Sequence, residues 1–186
     1  MESINHQLHL DTLQRGRKAY RADGEYIPDF ALWNQDEQLV TRDTLKGKPI
    51  VITFIFTRCM VAKMCPATTA KMERLQREAA EAGITDAHFI LVTFDPEYDS
   101  PTVLKAYGDQ RGFNEENTML LTGDPEAIDD LMKQFGILTI EEDDTINHTS
   151  STLLVDDKGK ILFRQTGSGW TPEPFLERLK ALQAHL

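Results

Sequence analysis

From about residue 48 onward, short apolar runs alternate with stretches of helical periodicity. The run KPIVITFIF is continuous and rich in β-branched and aromatic residues, as in a strand buried on both faces of a parallel sheet. Two further runs, AHFILVTF and TMLLT, have the same character. Between the first two runs, Met72, Leu75, Ala79 and Ala82 recur at helical spacing, and Gly83 follows as a stop signal. This part of the chain therefore predicts alternating β-strands and α-helices.

Further helix starts are marked by a capping residue followed by proline. This pairing favours a helix because the capping side chain accepts an N–H, while proline fits the first helical position. It is present at Ser100 and Pro101, at Asp124 and Pro125, and at Thr171 and Pro172.

The last third of the chain has a different pattern of apolar and polar residues. The stretch SSTLLVDDKGKILFRQTG contains two strand-like runs around a DDKG turn, which is typical of an antiparallel hairpin. The segment PEPFLERLKALQ then predicts a final helix. We therefore expect an α/β fold with three layers, α/β/α, a mixed sheet, and a C-terminal β-hairpin followed by a helix.

The first 26 residues are polar and charged, in contrast to the apolar pattern that follows. They predict an N-terminal arm, helical or extended, that packs loosely. Residues 27–186 are then expected to form one domain, since 186 residues suffice for one core and are few for two.

The charge of the chain limits its partners. The formal net charge is -10, which repels phosphate backbones over most of the surface and excludes nucleic acid as an expected partner. The longest apolar run, from Ile50 to Phe56, is too short to cross a bilayer, and the N-terminus lacks the apolar core of a signal peptide. Two interpretations stay open: a cytoplasmic protein, or an exported domain written without its leader or anchor.

The chain has two cysteines, Cys59 and Cys65, in a loop that leaves the predicted central strand and enters a helix. Open α/β sheets usually carry their sites at this edge. We expect the helix N-terminus to lower the pKa of Cys65, which favours reactivity or metal binding. A disulfide, a reactive thiol and a pair of soft metal ligands are the alternatives.

His148 adds a third candidate ligand. It precedes the first strand of the predicted hairpin, and in a sheet of this order that edge lies close to the loop after the central strand. Two thiolates and one imidazole suit Cu(I), and with one more oxygen donor they can hold Cu(II). Structural zinc normally takes four protein ligands and fits this set less well.

Four stretches carry a resemblance to a known family. FTRC, MCP, TFDPEYDSPTVLKAYGDQRGF and NHTSSTLLVDDKGKIL, in this order, resemble the SCO/SenC family over about Ile27 to Phe175. The resemblance implies a thioredoxin-like fold and a copper-binding protein that helps to metallate the CuA centre of cytochrome c oxidase. It implies copper, Cu(I) and also Cu(II), bound by Cys59, Cys65 and His148. Asp95, in the DPxxD pattern, is implied as a supporting residue.

The resemblance also implies where the protein acts and on what. The expected partner is a cuproprotein recipient such as an oxidase subunit, and the expected location is periplasmic or membrane-anchored and facing outward. The chain departs from the family in its cysteine spacing, because five residues separate Cys59 from Cys65 where CxxxC is usual. Met60 and Met64 lie within this longer loop; thioethers are Cu(I) donors, but we interpret both as packing residues.

Two enzyme functions compete with metal delivery. A thiol-disulfide oxidoreductase would use Cys59 as the attacking thiolate and Cys65 as the resolving thiol. The spacing is not CxxC, and the histidine near the edge suits a metal better than a dithiol. A peroxidase of the peroxiredoxin type is less compatible, because such proteins have TxxC after a proline and this chain has TRC. Metal delivery requires no turnover of substrate; if the protein is an enzyme, we expect a thiol-disulfide oxidoreductase.

Overall fold

The computed structural model describes residues 1–137, 139–142 and 145–184, and the side chains of residue 18 and of residues 138–148 are outside this description. Five α-helices lie in these ranges: α1 (Glu2–Arg15), α2 (Cys65–Glu81), α3 (Pro101–Arg111), α4 (Pro125–Phe135) and α5 (Glu173–Gln183). Within the described residues, no helix is both long enough and apolar enough to cross a membrane.

The described strands fall into three sheets. They are β1 (Ala31–Trp33), β2 (Leu39–Thr41), β3 (Ile50–Ile55), β4 (His88–Thr93), β5 (Thr118–Leu121), β6 (Thr139–Glu142), β7 (Thr145–His148), β8 (Ser151–Val155) and β9 (Ile161–Thr166). β1 pairs with β2, and β6 pairs with β7, each as an antiparallel hairpin. The main sheet has the order β5-β4-β3-β8-β9.

The main sheet is mixed and its centre is β3. This strand runs parallel to β4 and antiparallel to β8, with Ile52 opposite Leu153. All side chains of β3, β4 and β8 are buried, which explains why β3 and β4 in particular are almost entirely apolar in sequence. The predicted central strand and the mixed sheet are confirmed.

Helices form the other two layers. α2 packs on β3 and contacts both α3 and α5. α4 packs on the sheet through Phe135, whose ring lies 5.4 Å from that of Phe54, and α1 packs against α4. The predicted three-layer, thioredoxin-like arrangement is therefore confirmed.

Local signals set most helix starts correctly. The Ser100 hydroxyl accepts the Val103 N–H at 3.4 Å, and the Asp124 carboxylate accepts the Glu126 N–H at 3.0 Å. The start predicted at Thr171 and Pro172 is wrong, because Pro172 precedes the first residue of α5 and no side chain caps that helix.

The C-terminal hairpin forms as predicted. β8 and β9 pair in antiparallel fashion, and the turn between them is closed by Asp156, whose carboxylate accepts the N–H of Lys158. Gly159 has φ +89°, a left-handed conformation that glycine adopts without steric cost. The two smaller hairpins were not predicted, since strands of three or four residues carry too little periodicity.

The N-terminal segment packs more closely than the sequence suggests. α1 buries Leu8, and the Asn5 side chain exchanges two hydrogen bonds of 2.9 Å with the backbone of Ala31. His9 lies 2.9 Å from a carboxylate oxygen of Asp130 on α4. The expectation of loose packing is wrong for this helix, whereas a domain boundary at residue 26 stays a prediction.

Candidate metal centre

The cysteine loop lies at the carboxyl end of β3. Cys59 is 8% exposed, and Cys65, the first residue of α2, is 2% exposed. No disulfide joins them in this structure, and the two thiols lie close enough for Cys59 to act on the pKa of Cys65. The Cys59 thiol also lies 3.9 Å from the backbone carbonyl of Val61. The loop therefore brings the two sulfur atoms of the chain's cysteines together in a site largely shielded from water.

The inner thiol holds its proton strongly. Burial, and secondarily the neighbouring Cys59, raise the pKa of Cys65 from its ordinary value of 9.0 to about 12. The backbone N–H groups of Phe56 and of Cys65 itself act in the opposite direction but do not offset the burial. The predicted lowering of this pKa by the helix N-terminus is wrong, because desolvation of a thiolate outweighs the helix dipole here.

Asp95 supports the loop through an arginine. Its carboxylate accepts hydrogen bonds from Nε and Nη2 of Arg58, at 3.0 Å and 2.6 Å. The guanidinium of Arg58 also lies 4.3 Å from the ring centroid of Tyr98. Because Arg58 directly precedes Cys59, this ion pair links Asp95 to the start of the loop.

A second carboxylate, Asp99, was not singled out in the sequence. It is 0% exposed and accepts hydrogen bonds from the backbone N–H of Thr57 at 3.1 Å, from the Thr57 hydroxyl, and from the Thr93 hydroxyl at 2.5 Å. A buried carboxylate needs such donors to compensate for lost hydration. The signal was present, since Asp99 is the second aspartate of the DPxxD pattern that drew attention to Asp95.

The backbone of His148 ends β7, and its imidazole lies outside the described residues. Ser151, three positions further on, begins β8, and its backbone carbonyl lies 3.5 Å from the Thr53 hydroxyl of β3. Three residues span at most about 10 Å, so the backbone of His148 lies near the edge from which the cysteine loop leaves. Among side chains that are described, no three histidine, cysteine, aspartate or glutamate groups form a metal site.

A buried arginine joins the two ends of the segment that carries His148. The Arg164 side chain is 5% exposed and donates to the carbonyl of Phe135 at 2.5 Å and to the Ser151 hydroxyl at 3.2 Å. Its Nη2 also donates to the carbonyl of Arg21 at 2.6 Å. Arg164 thus connects the last residue of α4 to the first residue of β8.

The two methionines of the loop differ in their surroundings. Met64, beside Cys65, is partly buried and packs against the hydrophobic core. Met60, beside Cys59, is 94% exposed. The interpretation as a packing residue holds for Met64 and is wrong for Met60.

The family of the chain follows from a comparison of sequences. The model of the SCO1/SenC family matches residues 18–184, so the chain belongs to this family. The SCO1 protein homolog of Bacillus subtilis (strain 168) is 33% identical over 150 residues, which cover 78% of this chain and 76% of that protein.

Two solved structures resemble the fold. A SCO1/SenC family lipoprotein from Bacillus anthracis str. Ames matches with a TM-score of 0.78 and 31% identity, over 86% of this chain and 96% of the other. ScoI of Bradyrhizobium japonicum with copper bound matches with a TM-score of 0.66 and 27% identity, over 87% of this chain and 99% of the other. The site described above thus lies in a fold that the family shares.

Proposed function

We propose that the protein is a copper-binding assembly factor in which Cys59, Cys65 and His148 hold the ion. The observation that carries the proposal is the burial of two neighbouring thiols, close enough to interact electrostatically, at the carboxyl edge of the sheet. Two sulfur donors and one imidazole form a soft site that suits Cu(I). The copper-bound relative from Bradyrhizobium japonicum supports the same choice of metal.

Asp95 and Asp99 are proposed to act on this site indirectly, without binding the ion. They hold Arg58 and Thr57, the residues just before Cys59, so that the first thiol is already positioned when the ion arrives. Neither carboxylate needs to bind copper for this role.

The ion is cargo, to be passed to a recipient. Family membership supports delivery to a CuA-type site of an oxidase subunit, or maintenance of the cysteines of that site. The lipoprotein relative from Bacillus anthracis supports a location outside the cytoplasm, with the domain held at a membrane and facing outward.

A titration with Cu(I) tests the ligand set. The reduced protein competes with bicinchoninate for Cu(I), and the affinities of Cys59→Ser, Cys65→Ser and His148→Ala are compared with that of the unchanged protein. Loss of an outer-shell partner typically costs about 10–100-fold in metal affinity, and we expect the loss of His148 as a direct ligand to cost at least that much. Each cysteine variant should bind more weakly still. His6→Ala, which alters an exposed histidine of α1, is the control. Unchanged affinity in His148→Ala would remove the imidazole from the set.

The proximity of the thiols also favours a second function, thiol-disulfide exchange between Cys59 and Cys65. The raised pKa of Cys65 and the burial of both sulfur atoms argue against rapid exchange, because the thiolate is the reacting form. Measurement of the reduction potential and of the exchange rate with glutathione discriminates the two functions. Exchange as fast as that of a dithiol oxidoreductase, with no measurable Cu(I) affinity, would favour the enzyme.

A further inference from the structure

The cysteine loop presents a thioether to water directly after Cys59. Met60 is 94% exposed, although burying a methionine side chain is favourable by about 2 kcal/mol. Met64, at the other end of the same loop, does pack against the core. Packing therefore accounts for Met64, whereas the Met60 thioether is left accessible to a ligand in solution.

The chemistry of the thioether fits the chemistry of the neighbouring thiols. A thioether is a soft ligand for Cu(I), and unlike a thiol it has no proton to lose when it binds. The thiol of Cys59, the preceding residue, is 8% exposed, and that of Cys65 is 2% exposed. An incoming ion therefore meets an exposed sulfur atom one residue away from a buried pair.

We infer that Met60 is an exchange ligand, which binds Cu(I) on its way to and from the pair formed by Cys59 and Cys65. This inference rests on the proposed function. The bond between Cu(I) and the molecule that delivers it breaks as a bond to the Met60 sulfur forms. The two thiols then displace Met60, and each releases one proton to water. Copper remains Cu(I) throughout, so no oxidant or reductant takes part.

An exchange ligand has a kinetic signature that differs from that of a resident ligand. It lowers the barrier in both directions, so its loss slows uptake and release equally and leaves the equilibrium unchanged. Loss of a resident ligand instead weakens the equilibrium affinity, mainly through faster release.

Stopped-flow transfer of Cu(I) between bicinchoninate and the reduced protein measures both directions. We expect Met60→Leu to slow uptake and release by about tenfold each, with the Kd unchanged within about twofold. Met64→Leu is the matched control, because it removes the other thioether of the loop and keeps an apolar side chain that can pack. We expect its transfer rates to stay within about twofold of those of the unchanged protein.

The outcomes separate the inference from the function on which it rests. If the unchanged protein takes up no Cu(I), the proposed function fails. If it does, and Met60→Leu transfers copper at the same rates, the exchange role is overturned while the function stands. Loss of affinity in Met60→Leu would also overturn it, since Met60 would be a resident ligand. Equal slowing in Met64→Leu would assign the effect to loop packing.

Discussion

The cysteine loop begins at the carboxyl end of β3, and the segment that carries His148, residues 136–150, ends beside that edge, where β8 begins. The two are held by groups of opposite charge. Two carboxylates, Asp95 and Asp99, accept hydrogen bonds from the start of the cysteine loop. One guanidinium, that of Arg164, donates to the residues on either side of the histidine segment.

The comparison shows two ways to fix a loop on a sheet. The carboxylates bind backbone and side-chain groups one or two residues before Cys59, so they constrain the first thiol closely. Arg164 binds Phe135 and Ser151, the residues that flank the segment carrying His148. It therefore constrains the position of this segment as a whole. We therefore expect disturbance of the carboxylates to affect the thiols, and disturbance of Arg164 to affect the approach of the histidine segment.

The largest effect that we expect concerns the inner thiol of the loop. A pKa raised from 9.0 to about 12 makes the Cys65 thiolate about 1000-fold rarer at pH 8 than in the unfolded chain. Alkylation of Cys65 by iodoacetamide, followed by mass spectrometry, should be slower by a similar factor in the folded protein. Equal rates in buffer and in guanidinium chloride would contradict the burial of this thiol.

The same shift makes stability depend on pH. The unfolded chain loses the Cys65 proton near pH 9.0, while the folded chain keeps it to about pH 12. The free energy of unfolding should therefore fall as the pH rises above about 9 and should reach its lower limit once both states are ionised. Cys65→Ser, which does not titrate in this range, should show a smaller slope than the unchanged protein.

The next largest effect is expected from Asp99, the buried carboxylate between β4 and α3 that accepts hydrogen bonds from the start of the cysteine loop. Asp99→Ala leaves the donors of Thr57 and Thr93 without their acceptor, and we expect a loss of about 3 kcal/mol in urea unfolding. Glu97→Ala, two residues away and exposed, is the control and should change stability by less than about 0.5 kcal/mol. If the two variants are equally stable, Asp99 does not anchor the loop.

A somewhat smaller loss of stability is expected when Arg164, which binds the residues flanking the His148 segment, is replaced. Arg164→Met removes hydrogen bonds to Phe135, Ser151 and Arg21 but keeps an apolar side chain, and we expect a loss of about 2 kcal/mol. Hydrogen exchange should increase at the start of β8. Arg77→Met, at an exposed ion pair of α2, should cost less than about 0.5 kcal/mol, and parity between the two variants would contradict the proposed role of Arg164.

The smallest effect on stability is expected at Arg58. Its side chain is 53% exposed, so Arg58→Gln should cost less than about 1 kcal/mol although it breaks the pair with Asp95. The start of the loop should nevertheless loosen, and alkylation of Cys59 should become about threefold faster. Lys63→Gln, an exposed cation of the same loop, should leave that rate unchanged, and a Cys59 rate unaffected by Arg58→Gln would show that Asp95 does not act through Arg58.

Much of the fold could be predicted because its signals are local. The continuous apolar run of β3, the helical spacing of α2 and the DDKG turn each depend on residues close in the chain. The short hairpins β1–β2 and β6–β7 escaped prediction, since pairing partners rather than periodicity define strands of three or four residues.

The candidate site was predictable in its residue types and not in its electrostatics. The sequence by itself determined that two thiols lie in one loop after a buried strand, and that an aspartate pattern follows the next strand. Only the tertiary structure decided that Cys65 is desolvated, that Asp99 is fully buried and that Met60 is exposed. Burial depends on elements that are distant in the chain, and in this site burial outweighs the local helix dipole from which the thiol's acidity was expected.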